Sequence, residues 1–148
     1  MGKSILRQEE DFELFLLYTT CFISDFLIRY INTLNFKSYN TILFIRHLFN
    51  HRVLINSSLT FVAAILHYQI LQGKKIEIYC RLLVGATLKD ITFVYFENCI
   101  IILLLSYLVS VILHVFMDIR LDNNRYLIFL LLFNIVIGIK QVICYESN

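Results

Sequence analysis

Residues 98–117, NCIIILLLSYLVSVILHVFM, run twenty positions without a formal charge between Glu97 and Asp118. A helix rises about 1.5 Å per residue, so twenty residues cover the roughly 30 Å hydrocarbon core of a bilayer and satisfy their own backbone N–H and C=O groups. A water-soluble fold could not absorb the rest. The chain has 148 residues, 59% hydrophobic and 16% charged, with mean hydropathy +0.73, more apolar surface than a domain of that length can hide. Lipid is the expected solvent, and an all-α integral membrane protein is the expected fold class.

Three further segments extend this reading to three or four transmembrane helices. Residues 126–145, YLIFLLLFNIVIGIKQVICY, form a span bracketed by tyrosines, and their one charge, Lys140, sits near an end where its stem can reach the headgroups. Residues 53–71 are uncharged but carry Asn56, Ser57, Ser58, Thr60, His67 and Gln69, which favour facing another helix. Ser57, Thr60 and Ala64 share a small-residue face there. Residues 12–31 are long enough to span yet contain Glu13, Asp25 and Arg29. Asp25 and Arg29 are four apart, so they can form an intramembrane ion pair on one helical face. A spanning helix is expected, with an interfacial amphipathic helix as the alternative. Residues 32–52 read as a polar connector and 118–125 as a short turn, so 1–148 form one transmembrane domain.

Several function classes are excluded. Thirteen basic and eleven acidic residues are spread along the chain for a net charge of +2, which gives no nucleic-acid patch. Cys21, Cys80, Cys99 and Cys144 are far apart and read as reduced apolar residues without metal-ligand spacing. His47 and His51 stand four apart, but no acidic or thiol partner lies within several residues. His67 and His114 fall inside spans and are expected to be neutral and hydrogen-bonded between helices. No Ser-His-Asp set, paired carboxylates or phosphate loop can be assembled, so no enzyme, cofactor or metal is expected. The first residues, MGKSILRQEEDFE, carry charges of both signs, which argues against a cleaved leader.

Residues 72–96 interrupt the apolar pattern with Lys74, Lys75, Arg81 and Lys89, whereas 118–125 offer only Arg120 and Arg125, each near an aspartate. The positive-inside rule then predicts 72–96 in the cytoplasm, as an elbow of a multi-pass protein of the cell (inner) membrane, although Lys37, Arg46 and Arg52 of the connector blunt the contrast. Glu77, Arg81 and Gly85 recur every four residues and form one stripe on a helix. Gly85 would end that helix, and Thr87, with Asp90 three residues on, would cap a second short helix.

The order Glu77-x-x-x-Arg81-x-x-x-Gly85-Ala86-Thr87 directly after a span, with Glu97 opening the next, resembles FtsX- and MacB-type permeases, the type VII ABC transporters. In that family a span continues into the cytoplasm and turns into a coupling helix that docks on the ATPase. The resemblance covers roughly residues 51–145 and implies a permease-like subunit, partnered by membrane lipid and a cytoplasmic ABC ATPase in a homodimer or hetero-complex. Glu77, Arg81, Gly85, Ala86 and Thr87 would couple it to that ATPase. The family's large extracytoplasmic domain has no room in 32–52, its Pro- and Arg-containing tail is replaced by YESN, and its third-span glycines are replaced by Ser106 and Ser110. The resemblance is therefore to a minimal or divergent member. The alternative reading is a small accessory or assembly subunit of a larger membrane complex.

Overall fold

The computed structural model describes residues 8–118 and 125–144, and every regular element among them is a helix. Four are long and apolar enough to cross a membrane: α1 (Gln8–Thr33), α3 (Arg52–Gly73), α5 (Leu88–Phe116) and α6 (Arg125–Cys144). Two short helices lie between them, α2 (Tyr39–Asn50) and α4 (Lys75–Leu83). The chain is all-α, with the helices of a multi-pass membrane protein.

Each long helix turns a stripe inward at steps of three and four residues, the spacing that keeps one face on a neighbour. On α1 the buried stripe is Leu14, Tyr18, Cys21, Asp25 and Ile28; on α3 it is Asn56, Thr60, Ala63, His67 and Leu71. On α5 it runs from Ile91 through Tyr95, Cys99, Ile102, Ser106 and Ser110 to His114, and on α6 from Leu127 through Leu131, Asn134 and Gly138 to Val142. The helices form a ring in which α1 touches α3 and α5, and α6 closes the circle by touching both. Bulky apolar side chains point outward instead, with Phe61 67%, Phe129 70% and Val115 71% exposed. In water such a surface would aggregate; against acyl chains it is solvated.

Two contacts fix which ends lie together. Lys74 Nζ reaches Glu10 Oε1 at 3.1 Å, so α1 begins beside the end of α3. Gln141 Nε2 donates to the Tyr68 carbonyl at 3.3 Å, so α6 ends there too. One end of the bundle thus carries the start of α1, α4 and the end of α6, and α2 lies at the opposite end.

The helices depart from the sequence reading in two places. Residues 32–52 are not a polar connector throughout, because α2 takes twelve of them and buries Ile45. The second short helix expected after Gly85 does not exist as a separate element. Thr87 caps α5 itself, which runs 29 residues to Phe116. At about 43 Å this helix outruns a bilayer core. Its charged first turns, with Lys89, Asp90 and Glu97, therefore project from the membrane with α4. The helix expected to span at 12–31, α1, lies along both α5 and α3 and is long and apolar enough to cross a membrane.

Candidate functional site

The elbow is built from an almost unbroken helix. Lys74 joins α3 to α4 at φ −91°, ψ −2°, donating its N–H to Ile70 O at 3.2 Å and accepting from Ile78 N–H at 3.0 Å. The hydrogen-bond ladder passes through the joint, so α4 moves with α3. At the far end the Gly85 N–H donates to Leu82 O at 3.1 Å and the Ala86 N–H to Arg81 O at 3.0 Å, the paired bonds of a Schellman stop. Gly85 sits at φ +99°, a backbone region that L side chains resist, while a Cβ there would meet nothing within 4 Å. The turn itself thus calls for glycine. Gly85→Ala should lower stability by about 1 kcal/mol and Gly85→Asn by less, as read from denaturant midpoints in detergent.

Thr87 then starts α5. Its Oγ1 accepts from the Asp90 N–H at 3.2 Å and donates to Asp90 Oδ2 at 2.6 Å.

Four charges hold α4 against the bundle. Lys74, only 5% exposed, bridges Glu10 of α1 and Glu77 Oε2 at 3.3 Å, while Arg81 Nη2 donates to Glu77 Oε1 at 2.9 Å. Burial pushes the Glu77 carboxyl up, but the hydrogen bonds from Arg81 and Lys74 outweigh it and hold the group below the usual glutamate range. Beside this network opens a groove of about 440 Å3 lined by Glu77, Cys80, Arg81, Val84 and Ala86. Its rim is apolar and bare, with Leu83 87% and Val84 89% exposed. Ala86 is half-buried and packs on the bundle core.

A polar layer lies toward the other end. Asp25, fully buried, accepts from Arg29 Nε at 2.8 Å, Asn56 Nδ2 at 2.8 Å and the Tyr126 hydroxyl at 2.6 Å. One carboxylate therefore ties α1 to α3 and α6.

Nearer the elbow, His67 of α3 is held between the Tyr18 hydroxyl of α1 at Nε2 and the Tyr95 hydroxyl of α5 at Nδ1, the latter at 2.8 Å. A neutral imidazole has one donor and one acceptor nitrogen, so the two phenols satisfy it completely. Gly138 of α6 makes room for this layer, since a Cβ there would stand 2.7 Å from the Tyr95 hydroxyl oxygen and 3.3 Å from its ring.

Between the layers Asn134 Nδ2 donates to Thr60 O at 2.7 Å and Thr19 Oγ1 to Ser106 Oγ at 3.3 Å. Ser106 thus serves the close α1–α5 seam. His114 differs from expectation: its Nδ1 bonds Ser110 O of its own helix at 2.8 Å, and its ring meets Phe26 edge-on at 5.0 Å. His47 and His51 stack at 6.5 Å in and after the last turn of α2.

Sequence reading missed Lys74, Tyr18, Tyr95 and Gly138. Only Lys74 left a signal, as a basic residue three before Glu77.

No family model, no curated protein and no solved structure matches the chain. Fold and site define a class nonetheless. Among the described residues, four helices are long and apolar enough to span a membrane, and the second of them extends into a charged, glycine-stopped elbow.

Proposed function

We propose that this chain is a permease-like membrane subunit of an FtsX/MacB-type ABC complex, taking motion from a cytoplasmic ATPase through its elbow. The observation that carries the reading is mechanical. α4 continues α3 through Lys74 without a coil, stops at Gly85, and re-enters the bundle as α5 after Val84–Thr87, so a displacement at its tip reaches two spanning helices at once. The Glu10–Lys74–Glu77 bridge extends that linkage to α1. Leu83 and Val84 supply an apolar tip that a protein partner would cover.

The interior supports transmission over conduction. Tyr18, Phe22, Tyr95, Leu131 and Ile135 fill it, each fully buried. The order Glu77, Arg81, Gly85, Ala86, Thr87 assigns the partner class. Orientation in the cell membrane also rests on that resemblance. Among the described residues the basic side chains divide evenly between the two ends, with Lys74, Lys75, Arg81, Lys89 and Lys140 at one and Arg29, Lys37, Arg46, Arg52 and Arg125 at the other.

The test is affinity purification of the tagged chain from its native cells in mild detergent, followed by photolabelling with an azido-ATP analogue. A nucleotide-binding ATPase should co-purify, and Leu83→Asp with Val84→Asp should reduce its recovery at least tenfold, because both side chains are exposed and burying a charge in an apolar contact is costly. Ala86→Trp is a poorer probe, since Ala86 also packs on the core. Equal recovery with the double aspartate variant, or no nucleotide-binding partner, favours the accessory-subunit reading.

A further inference from the structure

A cleft of about 480 Å3 opens where α3 and α6 end beside α4, lined by Tyr68, Gln72, Lys75, Ile137, Lys140 and Gln141 together with Cys144. Every charged residue in this lining is a lysine. The Gln141 bond to the Tyr68 carbonyl spans the cleft from α6 to α3, and the Lys75 ammonium lies 5.9 Å from the Tyr79 ring centroid, a cation–π contact.

Toward the middle of the bundle the same helix faces turn apolar. On α6, Ile137 (44% exposed) and Phe133 (62%) precede Gln141 by four and eight; on α3, Ile65 (43%) and Phe61 (67%) precede Tyr68 by three and seven. Residues at those spacings share a face. The cleft is therefore a cap of ammonium, amide and phenol groups above an apolar track at membrane depth. That is the outline of an amphiphile with an anionic head.

We propose that the cleft binds an anionic phospholipid, its phosphate held between Lys75 and Lys140 and an acyl chain lying along Ile137, Phe133 and Ile65. The lysines favour a net-negative headgroup over a zwitterionic one, whose own ammonium would bring a third cation to the same cap. The inference needs only the four spans and holds in either orientation of the chain.

The test uses the full chain in nanodiscs of mixed phosphatidylglycerol and phosphatidylcholine, with native mass spectrometry counting the lipids it keeps. Wild type should retain phosphatidylglycerol preferentially. Lys75→Gln with Lys140→Gln should cut that retention on the order of twentyfold, about fivefold for each lysine. The Lys75→Arg, Lys140→Arg pair and the elbow change Lys89→Gln should both keep it, which separates loss of the site from loss of the fold. Excess inorganic phosphate should leave the lipid in place. Equal retention of both lipids by wild type, unchanged retention in the glutamine pair, or displacement by inorganic phosphate overturns the proposal.

Discussion

Asp25→Leu should destabilise the bundle by about 3–5 kcal/mol, the range for breaking a buried ion pair from one side. The change removes the acceptor that Arg29, Asn56 and Tyr126 share, so groups on three helices each lose one hydrogen bond at once. Arg29, 5% exposed, is then left buried without this counter-charge. The companion experiment decides the cause. Asp25→Leu with Arg29→Leu removes both charges, and buried pairs exchanged for apolar residues cost far less than half-broken ones. Unfolding in mixed micelles, followed by circular dichroism, should therefore show the double variant more stable than Asp25→Leu alone. Additive losses would mean that the two residues do not act as a pair.

Gly138→Ala should cost about 1–3 kcal/mol, although alanine is the better helix former in isolation. The new methyl would enter the space of the Tyr95 hydroxyl, and Tyr95 is itself fully buried, so its ring has no free volume to retreat into. Either α6 moves off α5, or Tyr95 leaves His67 with a nitrogen unsatisfied. Tyr95→Phe removes the atom that the methyl meets first. Combined with Gly138→Ala, it should cost less than the sum of the two single changes in thermal unfolding. Simple additivity would place the α5–α6 contact elsewhere.

What could be read from the sequence, and what could not, follows from the range of each interaction. The apolar runs inside α1, α3, α5 and α6 are visible because bilayer thickness sets a length that hydropathy reports directly. The pairs Asp25 with Arg29 and Glu77 with Arg81 stand four apart, so helical geometry alone makes each contact possible. Thr87 and Asp90 announce a helix start for the same local reason.

The Tyr18–His67–Tyr95 layer left no such trace, because its members come from three helices and meet only through packing. Gly138 looked like an ordinary residue within a span; its meaning lies in a tyrosine 43 positions away. The helix that Thr87 starts was expected to be short and separate from the span at 98–117, since Lys89, Asp90 and Glu97 lower hydropathy without weakening helix formation. α2 was passed over because its polar ends, Tyr39-Asn40-Thr41 and Asn50-His51-Arg52, disguised the apolar Ile42 to Ile45 between them. At the elbow, the sequence pattern placed a helix stop at Gly85, and the helix ends there. The backbone sign at φ +99° calls for glycine there, and Leu83 and Val84 beside it form an exposed apolar tip.

The whole account turns on the compartment that the elbow faces, and the chain carries its own probes. Cys80 on α4 and Cys144 at the end of α6 are exposed at the elbow end, whereas Cys21 and Cys99 are buried. Ser38, exposed before α2, marks the opposite end. A membrane-impermeant maleimide applied to intact cells should leave the wild-type chain unlabelled and label it once the cells are lysed, while Ser38→Cys should react in intact cells. Labelling of Cys80 in intact wild-type cells would put the elbow on the side without ATP and contradict the coupling role.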